Sequence, residues 1–329
     1  MTSPASLPSS PLAPPLPLVV QTEELDEAAA AYLAEHTRLV VCDFKDVERF
    51  GTLLKEAAGL VVRTYTRVDR ALLDRAPNLK VVGRAGVGLD RIDVAECRRR
   101  GVEVVHTPDA NSQAVAEYVF ALLFDAMRPR VYLEGAIDDA EWGKLRKRLT
   151  APRQISDLVF GIWGLGRIGT RVARIAGAIG AEVIYNDLLD ISPDLRGSAR
   201  PVSRDELLRT ADVLSLHIDP RPANHRILST PTLSLLKRNA IIINTARGVL
   251  ADALALSQFL KANPDAAAWI DVHDPEPISA DYPLIGLPNA HISPHIAAAT
   301  AGAHANMSWV VRDVVRVLRG EQPRHPAPR

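Results

Sequence analysis

Short runs of β-branched apolar residues, separated by stretches of helical periodicity, recur in two series along this 329-residue chain. That rhythm restricts the fold more than any single motif does. In the first series the runs are Leu18 to Val20, Leu39 to Val41, Leu60 to Val62, Val81 to Val82 and Val102 to Val105, with helical patterns such as Asp26 to Glu35 between them. The second runs through Leu158 to Trp163, Ala181 to Tyr185, Val213 to Ile218, Ala240 to Asn244, Ala268 to Val272 and His291 to Ser293. Strands alternating with helices build parallel sheets wrapped by helices. A chain this long is expected to form two such α/β domains, which leaves a cleft for chemistry.

Between the series lies SQAVAEYVFALLFDAM, in which Val115, Val119, Leu122 and Leu123 share one helical face behind the candidate cap residues Asn111 and Ser112. It reads as an interdomain helix. The last helical stretch, about Thr300 to Leu318, follows the final strand and has no strand of its own. It is expected to pack back on the first domain, giving a division into 17–110 plus 298–329 and a continuous 111–297. Ser203 with Glu206 fits a capping box, and Gly180 falls where a helix-ending glycine belongs.

Composition excludes several classes of function. Lys plus Arg and Asp plus Glu both total 39, so no global field attracts a polyanion, and no basic run marks a nucleic-acid stripe. Cys42 and Cys97 stand far apart and outside any CxxC spacing, which argues against a metal centre or disulfide framework and for buried reduced thiols. No apolar stretch approaches the roughly eighteen residues that cross a bilayer. Residues 1–16, MTSPASLPSSPLAPPL, have no Lys or Arg and are broken by prolines. They lack the marks of a signal peptide and read as a disordered leader on a cytoplasmic protein. The proline-rich tail QPRHPAPR is expected to be loose as well.

The segment LVFGIWGLGRIGTRVARIAGAIGAEVIYND contains GxGxxG at Gly164, Gly166 and Gly169, after one strand and opening a helix. Gly164 permits a tight turn, Gly166 lets the backbone approach a diphosphate, and Gly169 lets helix and strand pack closely. A dinucleotide's diphosphate is then expected over Leu165, Gly166, Arg167 and Ile168, at the helix N-terminus. Eighteen residues beyond Gly169 the next strand ends in Asp187, placed to accept hydrogen bonds from the adenosine ribose and to repel a 2′-phosphate. The preferred cofactor is therefore NAD rather than NADP.

Three charged residues follow strands in the second series: Arg247 in NTARG, Glu276 in DVHDPEP and His295 in SPH. Open α/β sheets bind ligands at such carboxyl ends. Reduction of a ketone by hydride needs an acid for the developing alkoxide, a cation for carboxylate and carbonyl oxygens, and a group that orients the acid. His295 suits the first task, in reverse for oxidation, because imidazole changes charge near neutral pH. Arg247 can fork onto the substrate oxygens, and Glu276 can accept from the other ring nitrogen of His295.

The strings VGRAGVGLDRIDV, TPDANSQAVAEY, GIWGLGRIG, DVLSLH, INTARG, DVHDPEP and SPHIAAAT resemble the D-isomer-specific 2-hydroxyacid dehydrogenases, and most nearly their D-3-phosphoglycerate dehydrogenase branch, from about Pro17 to Gly320. The resemblance implies two Rossmann-like or flavodoxin-like parallel-sheet domains. The substrate-binding one is interrupted by the NAD-binding one, and the cleft closes on NAD and a small 2-hydroxy or 2-keto acid. It makes Arg247, Glu276 and His295 the catalytic residues. It assigns Arg63, Thr64, Asn111 and the backbone of Val87 and Gly88 to the substrate, and His217, Thr245, Ala246 and Asp271 to the cofactor. It also implies a homodimer through the nucleotide-binding domains, involving SQAVAEYVFALLFDAM and the Arg-rich loop after it. The C-terminal regulatory domain of many phosphoglycerate dehydrogenases is not expected in this chain.

The chain departs from the family's pattern at Asp219, where proline is common; at Val249, where glycine is; at Trp269, where a small residue is; and at His273, where an apolar aromatic is. His273, three residues from Glu276, could compete with His295 for that carboxylate, and packing is the expected role. Two kinds of function fit. The first is oxidation of 3-phosphoglycerate, favoured by the positive charge of Arg63, or reduction of hydroxypyruvate or glyoxylate by the same machinery. The second is a non-catalytic, NADH-sensing corepressor-type binding protein.

Overall fold

The computed structural model describes residues 15–128 and 130–328. Most of the leader expected over residues 1–16 lies outside them. The chain packs as two units: one runs up to Ala110 and resumes at Ala301, and the other is Asn111–Thr300.

The first unit holds strands β1 (Leu18–Gln21), β2 (Arg38–Val41), β3 (Gly59–Val62), β4 (Val81–Arg84) and β5 (Glu103–His106). They form one parallel sheet in the order β2-β1-β3-β4-β5. Period-two alternation gives each strand two apolar faces: Val19 meets the layer of Leu33, Val311 and Val314, whereas Leu18 and Val20 meet that of Phe50, Leu54 and Leu73. Each fully buried aliphatic side chain stabilises this packing by about 1.5–3 kcal/mol.

The C-terminal stretch expected as one helix is two, Ala301–Ser308 and Val311–Leu318. The apolar stripe Val310, Val311, Val314 and Val315 packs on the first sheet. The tail, expected to be loose, is held. His106 N–H donates to the His325 carbonyl at 3.1 Å and Ala327 N–H to the Val104 carbonyl at 2.7 Å, so the tail extends the β5 edge. The buried Asp313 carboxylate accepts from the N–H groups of Arg324 and His325 at 2.9 and 2.8 Å. Proline content did not decide the matter, because the N–H groups between the prolines found partners.

The second unit holds β6 (Val159–Trp163), β7 (Glu182–Asn186), β8 (Arg200–Pro201), β9 (Val213–Leu216), β10 (Ile241–Asn244), β11 (Ala267–Ile270) and β12 (Ala290–Ile292). The order is β12-β11-β10-β9-β6-β7-β8, all parallel. The chain reverses direction of winding between β6 and β9, the switch point at which doubly wound sheets open a crevice for a dinucleotide. Ile241 and Ile243 face one core layer and Ile242 the other. The helix Ser112–Met127 packs Val119, Phe120 and Leu123 into the first of these layers. Asn111 precedes that helix but makes no side-chain cap bond. Ser203 caps its helix by accepting from Glu206 N–H at 3.1 Å, but the Glu206 carboxylate pairs with Arg200, so the reciprocal half of the expected capping box does not form.

Candidate active site

Each expected residue of the second unit except Asn111 follows a strand at the carboxyl edge of its sheet, on the loop there or in the first turn of the helix that the loop opens. After β6 the chain turns at Gly164, whose φ is +94°. A Cβ there would lie 2.8 Å from the His217 carbonyl group, and one on Gly169 would lie 2.2 Å from the Gly164 oxygen. The turn is thus packed from both sides and only glycine fits.

Gly166 differs. It opens the helix Arg167–Ala178 without a side-chain cap, and nothing lies within 4 Å of where its Cβ would stand. The N–H groups of a helix's first turn have no partner within the helix, and the space beside the Gly166 backbone is open.

Asp187 follows β7 and ties this turn to its own strand: one carboxylate oxygen accepts from Leu165 N–H at 2.6 Å and the other from Leu189 N–H at 2.9 Å. The Leu165 amide, expected to face a diphosphate, is therefore directed at Asp187, and its side chain is buried. Gly166, Arg167 and Ile168 remain at the helix mouth. His217, after β9, bonds Ser215 Oγ through Nε2 at 2.8 Å, and burial pushes its ring pKa down to about 3, so the ring is neutral. His217 Nδ1, Thr245 Oγ1 and Asn111 Oδ1 are buried without a hydrogen-bond partner among the described residues. Buried polar atoms of this kind call for a partner; with the open cradle at Gly166, those of His217 and Thr245 fit a polar, diphosphate-bearing ligand, and that of Asn111 fits a polar ligand.

After β10, Asn244 folds the next loop onto itself: its Oδ1 accepts from Ala246 N–H and its Nδ2 donates to the Arg247 carbonyl, both at 3.0 Å. The Arg247 guanidinium donates to the Ala246 carbonyl at 2.7 Å. Gly248 lies so close to the next loop that a Cβ would meet the His273 carbonyl carbon at 2.0 Å. The Arg247 turn and the His273–Glu276 segment are therefore packed backbone to backbone.

His295 Nδ1 donates to Glu276 Oε2 at 2.9 Å, with both side chains partly exposed. The other oxygen of Glu276 accepts from His273 N–H at 2.8 Å. Burial works to raise the Glu276 pKa, but the bonds from His295 and His273 outweigh it and hold the carboxyl below the usual range. With Nδ1 committed to Glu276, the ring nitrogen of His295 that remains to meet a ligand is Nε2. The rival pairing does not form, because the His273 ring bonds Ser293 and Tyr282 and leaves Glu276 to its backbone N–H.

Asp271, assigned to the cofactor by resemblance, is fully buried. Its oxygens accept from Ser293 Oγ at 2.6 Å, Ile296 N–H at 2.9 Å and Ala297 N–H at 2.8 Å. It anchors the loop that carries His295. Tyr118 adds a donor to Ser293 Oγ at 3.2 Å.

Two of the departures are also placed. Asp219 pairs with Arg221 and receives the Arg221 N–H at 3.1 Å, pinning its own loop. Trp269 stacks on His291 with ring centroids 4.4 Å apart.

In the first unit, the loop Arg63–Thr66 after β3 wraps around one carboxylate. Glu23 accepts from the N–H groups of Arg63, Thr64, Tyr65 and Thr66 at 2.5–3.1 Å and from Thr66 Oγ1 at 3.0 Å. Desolvation would raise the Glu23 pKa, but these amides outweigh it and lower it. Val87 and Gly88 follow β4, where the Val87 carbonyl accepts from His106 Nδ1 at 3.0 Å. Glu23, Ser293 and Tyr118 carry no sequence signal; each acts on a loop distant in sequence.

This fold and glycine turn define a dinucleotide-binding α/β protein whose second sheet carries a hydrogen-bonded His–Glu pair at its carboxyl edge. Residues 120–297 match the model of the D-isomer specific 2-hydroxyacid dehydrogenase, NAD binding domain. The chain is 32% identical to the glyoxylate reductase of Aeropyrum pernix, covering 93% of this chain and 94% of that protein. It is 36% identical to the D-3-phosphoglycerate dehydrogenase of Methanocaldococcus jannaschii, over 92% of this chain but only 58% of that protein. A D-lactate dehydrogenase from Aquifex aeolicus, solved with NAD and lactic acid, superposes with a TM-score of 0.79 at 26% identity, covering 92% of this chain and 96% of that one. The chain belongs to the D-isomer-specific 2-hydroxyacid dehydrogenase family, a family of NAD-binding oxidoreductases. Among the described residues no helix is long and apolar enough to cross a membrane.

Proposed function

We propose that this chain oxidises D-3-phosphoglycerate or a close D-2-hydroxy acid, with His295 as acid and base, Glu276 as its orienting carboxylate and Arg247 as the cation on the substrate's carboxylate and carbonyl oxygens. The His295–Glu276 contact at 2.9 Å carries the reading, because it commits one ring nitrogen and leaves the other to exchange a proton with a substrate hydroxyl. NAD supplies the hydride acceptor when bound. In oxidation His295 Nε2 takes the hydroxyl proton; in reduction it returns one to the developing alkoxide. Gly166, Arg167 and Ile168 are the residues to hold the diphosphate, Asp187 the ribose, and His217, Thr245 and Ala246 the remainder of the cofactor. Asn111 is the polar contact to the substrate in this unit.

On the first unit Arg63 and Thr64, shaped by Glu23, and the backbone of Val87 and Gly88 are assigned to the acid's charged groups. The Arg63 guanidinium suits a phosphate. A second reading, reduction of glyoxylate or hydroxypyruvate, is favoured by similarity to a glyoxylate reductase along nearly its full length.

We further propose a cytoplasmic homodimer. Both cysteines are free thiols, as in a reducing compartment. The helix Asp139–Arg148 buries none of its residues and exposes Trp142, and Tyr132 and Leu133 are exposed ahead of it in the chain, the kind of surface a second copy covers.

The test is a panel: NAD reduction with 3-phosphoglycerate, D-glycerate and D-lactate, and NADH oxidation with hydroxypyruvate and glyoxylate. The highest kcat/KM is expected on 3-phosphoglycerate. A preference for glyoxylate would select the second reading, and NADH binding without turnover on any acid would select the corepressor-type role.

A further inference from the structure

His273 stands at the junction of the three loops that carry Arg247, Glu276 and His295. Its backbone carbonyl lies against Gly248, its N–H donates to Glu276 Oε1 at 2.8 Å, and its ring reaches the third loop, where Nε2 meets the Ser293 carbonyl at 2.8 Å. A carbonyl only accepts, so Nε2 carries the proton. In the neutral ring Nδ1 is then an acceptor, and the Tyr282 hydroxyl lies 3.3 Å from it, with the two rings edge to face at 5.3 Å. Burial, with the negative charges of Asp274 and Glu276, pushes the Tyr282 pKa up to about 12, so it remains an O–H donor.

The Ser293 carbonyl is also the acceptor of a three-residue turn, receiving His295 N–H at 3.0 Å. His295, the last residue of that turn, stands at φ +57°, a left-handed conformation uncommon outside glycine. Such a backbone persists only where its surroundings enforce it. The His273 ring is bonded to the pivot atom of this turn.

We propose that His273 is a positioning residue for proton transfer: through its ring N–H on the Ser293 carbonyl it holds the turn that presents His295 to Glu276. The inference rests on the reading of His295 as the acid–base residue. It goes beyond packing, since an apolar aromatic of similar size fills the space without holding the carbonyl. The Asp271 contacts fix the same loop from its far side, at Ser293 Oγ and at residues 296 and 297, so loss of the His273 bond alone leaves the loop attached but its turn unheld.

The experiment compares His273→Phe, His273→Gln and His295→Ala with the wild-type chain in NADH-dependent reduction of hydroxypyruvate and glyoxylate, with the NADH dissociation constant read by fluorescence. His273→Phe is expected to lower kcat about tenfold, the scale of a small misplacement of a catalytic group, while KM and NADH affinity stay within about twofold of wild type. His273→Gln, whose amide can donate to the same carbonyl, is expected to recover most of the loss. Wild-type kcat in His273→Phe, with His295→Ala inactive, would overturn the positioning role. Equal losses in the Phe and Gln variants would overturn it too, since the carbonyl bond would not be what matters. Wild-type turnover in His295→Ala would instead remove the reading beneath it.

Discussion

Glu276 is held by two histidines in different ways: His295 donates to Oε2 from its ring at 2.9 Å, and His273 donates to Oε1 from its backbone at 2.8 Å. The carboxylate is therefore fixed before it meets the ring it orients. Glu276→Gln keeps the shape but removes the charge facing His295. Its kcat on the preferred acid is expected to fall about 10–100-fold, with NADH affinity within about twofold, as steady-state kinetics and NADH fluorescence will show.

Two glycines of one turn separate folding from binding. Gly164→Ala forces a side chain onto φ +94° and against the His217 carbonyl; it is expected to cost about 1–3 kcal/mol and to lower Tm. Gly166→Val meets open space and is expected to leave Tm within about 2 °C of wild type while weakening NADH at least about tenfold, because the side chain enters the space assigned to the diphosphate. Thermal melts with and without NADH distinguish the two.

Asp187→Ala removes the acceptor of both Leu165 N–H and Leu189 N–H as well as the like charge that opposes a 2′-phosphate. The variant is expected to bind NADH about tenfold more weakly and to lose discrimination against NADPH, measured by titrating each cofactor. Unchanged NADH affinity would count against Asp187 as a ribose partner.

Glu23 gives the first unit an acid-sensitive clasp on the Arg63–Thr66 loop. Its pKa in the folded chain lies below the ordinary value of 4.5, so the unfolded chain binds its proton more readily. The resulting stability is fully present above about pH 4.5 and is lost as pH falls through the lowered value. Glu23→Gln is expected to melt at least about 3 °C below wild type at pH 7 and to show a smaller further loss between pH 5 and pH 3. Parallel melting curves across that range would contradict this.

Much of this molecule was legible in its sequence, because the features concerned are local. Apolar runs two to six residues long announced the strands, the spacing of Gly164, Gly166 and Gly169 announced the turn, and Arg247, Glu276 and His295 each follow a strand closely enough to be placed on one edge. What escaped was contact across distance. Glu23 grips amides some forty residues away, Asp271 anchors residues more than twenty ahead, and the tail finds β5 from over two hundred residues downstream. A carboxylate that feeds backbone amides looks, in one dimension, like any surface acid. The ring bonds of His273 are illegible for the same reason, since their acceptor is a main-chain carbonyl that any residue could supply.

The most direct test of the central claim is NADH-coupled turnover of His295→Ala on whichever acid the wild type prefers, with NADH binding measured on the same preparation. The account predicts a fall in kcat of about 10²–10⁴-fold at unchanged NADH affinity. Turnover within about threefold of wild type would show that the imidazole does not move the proton, and would contradict it.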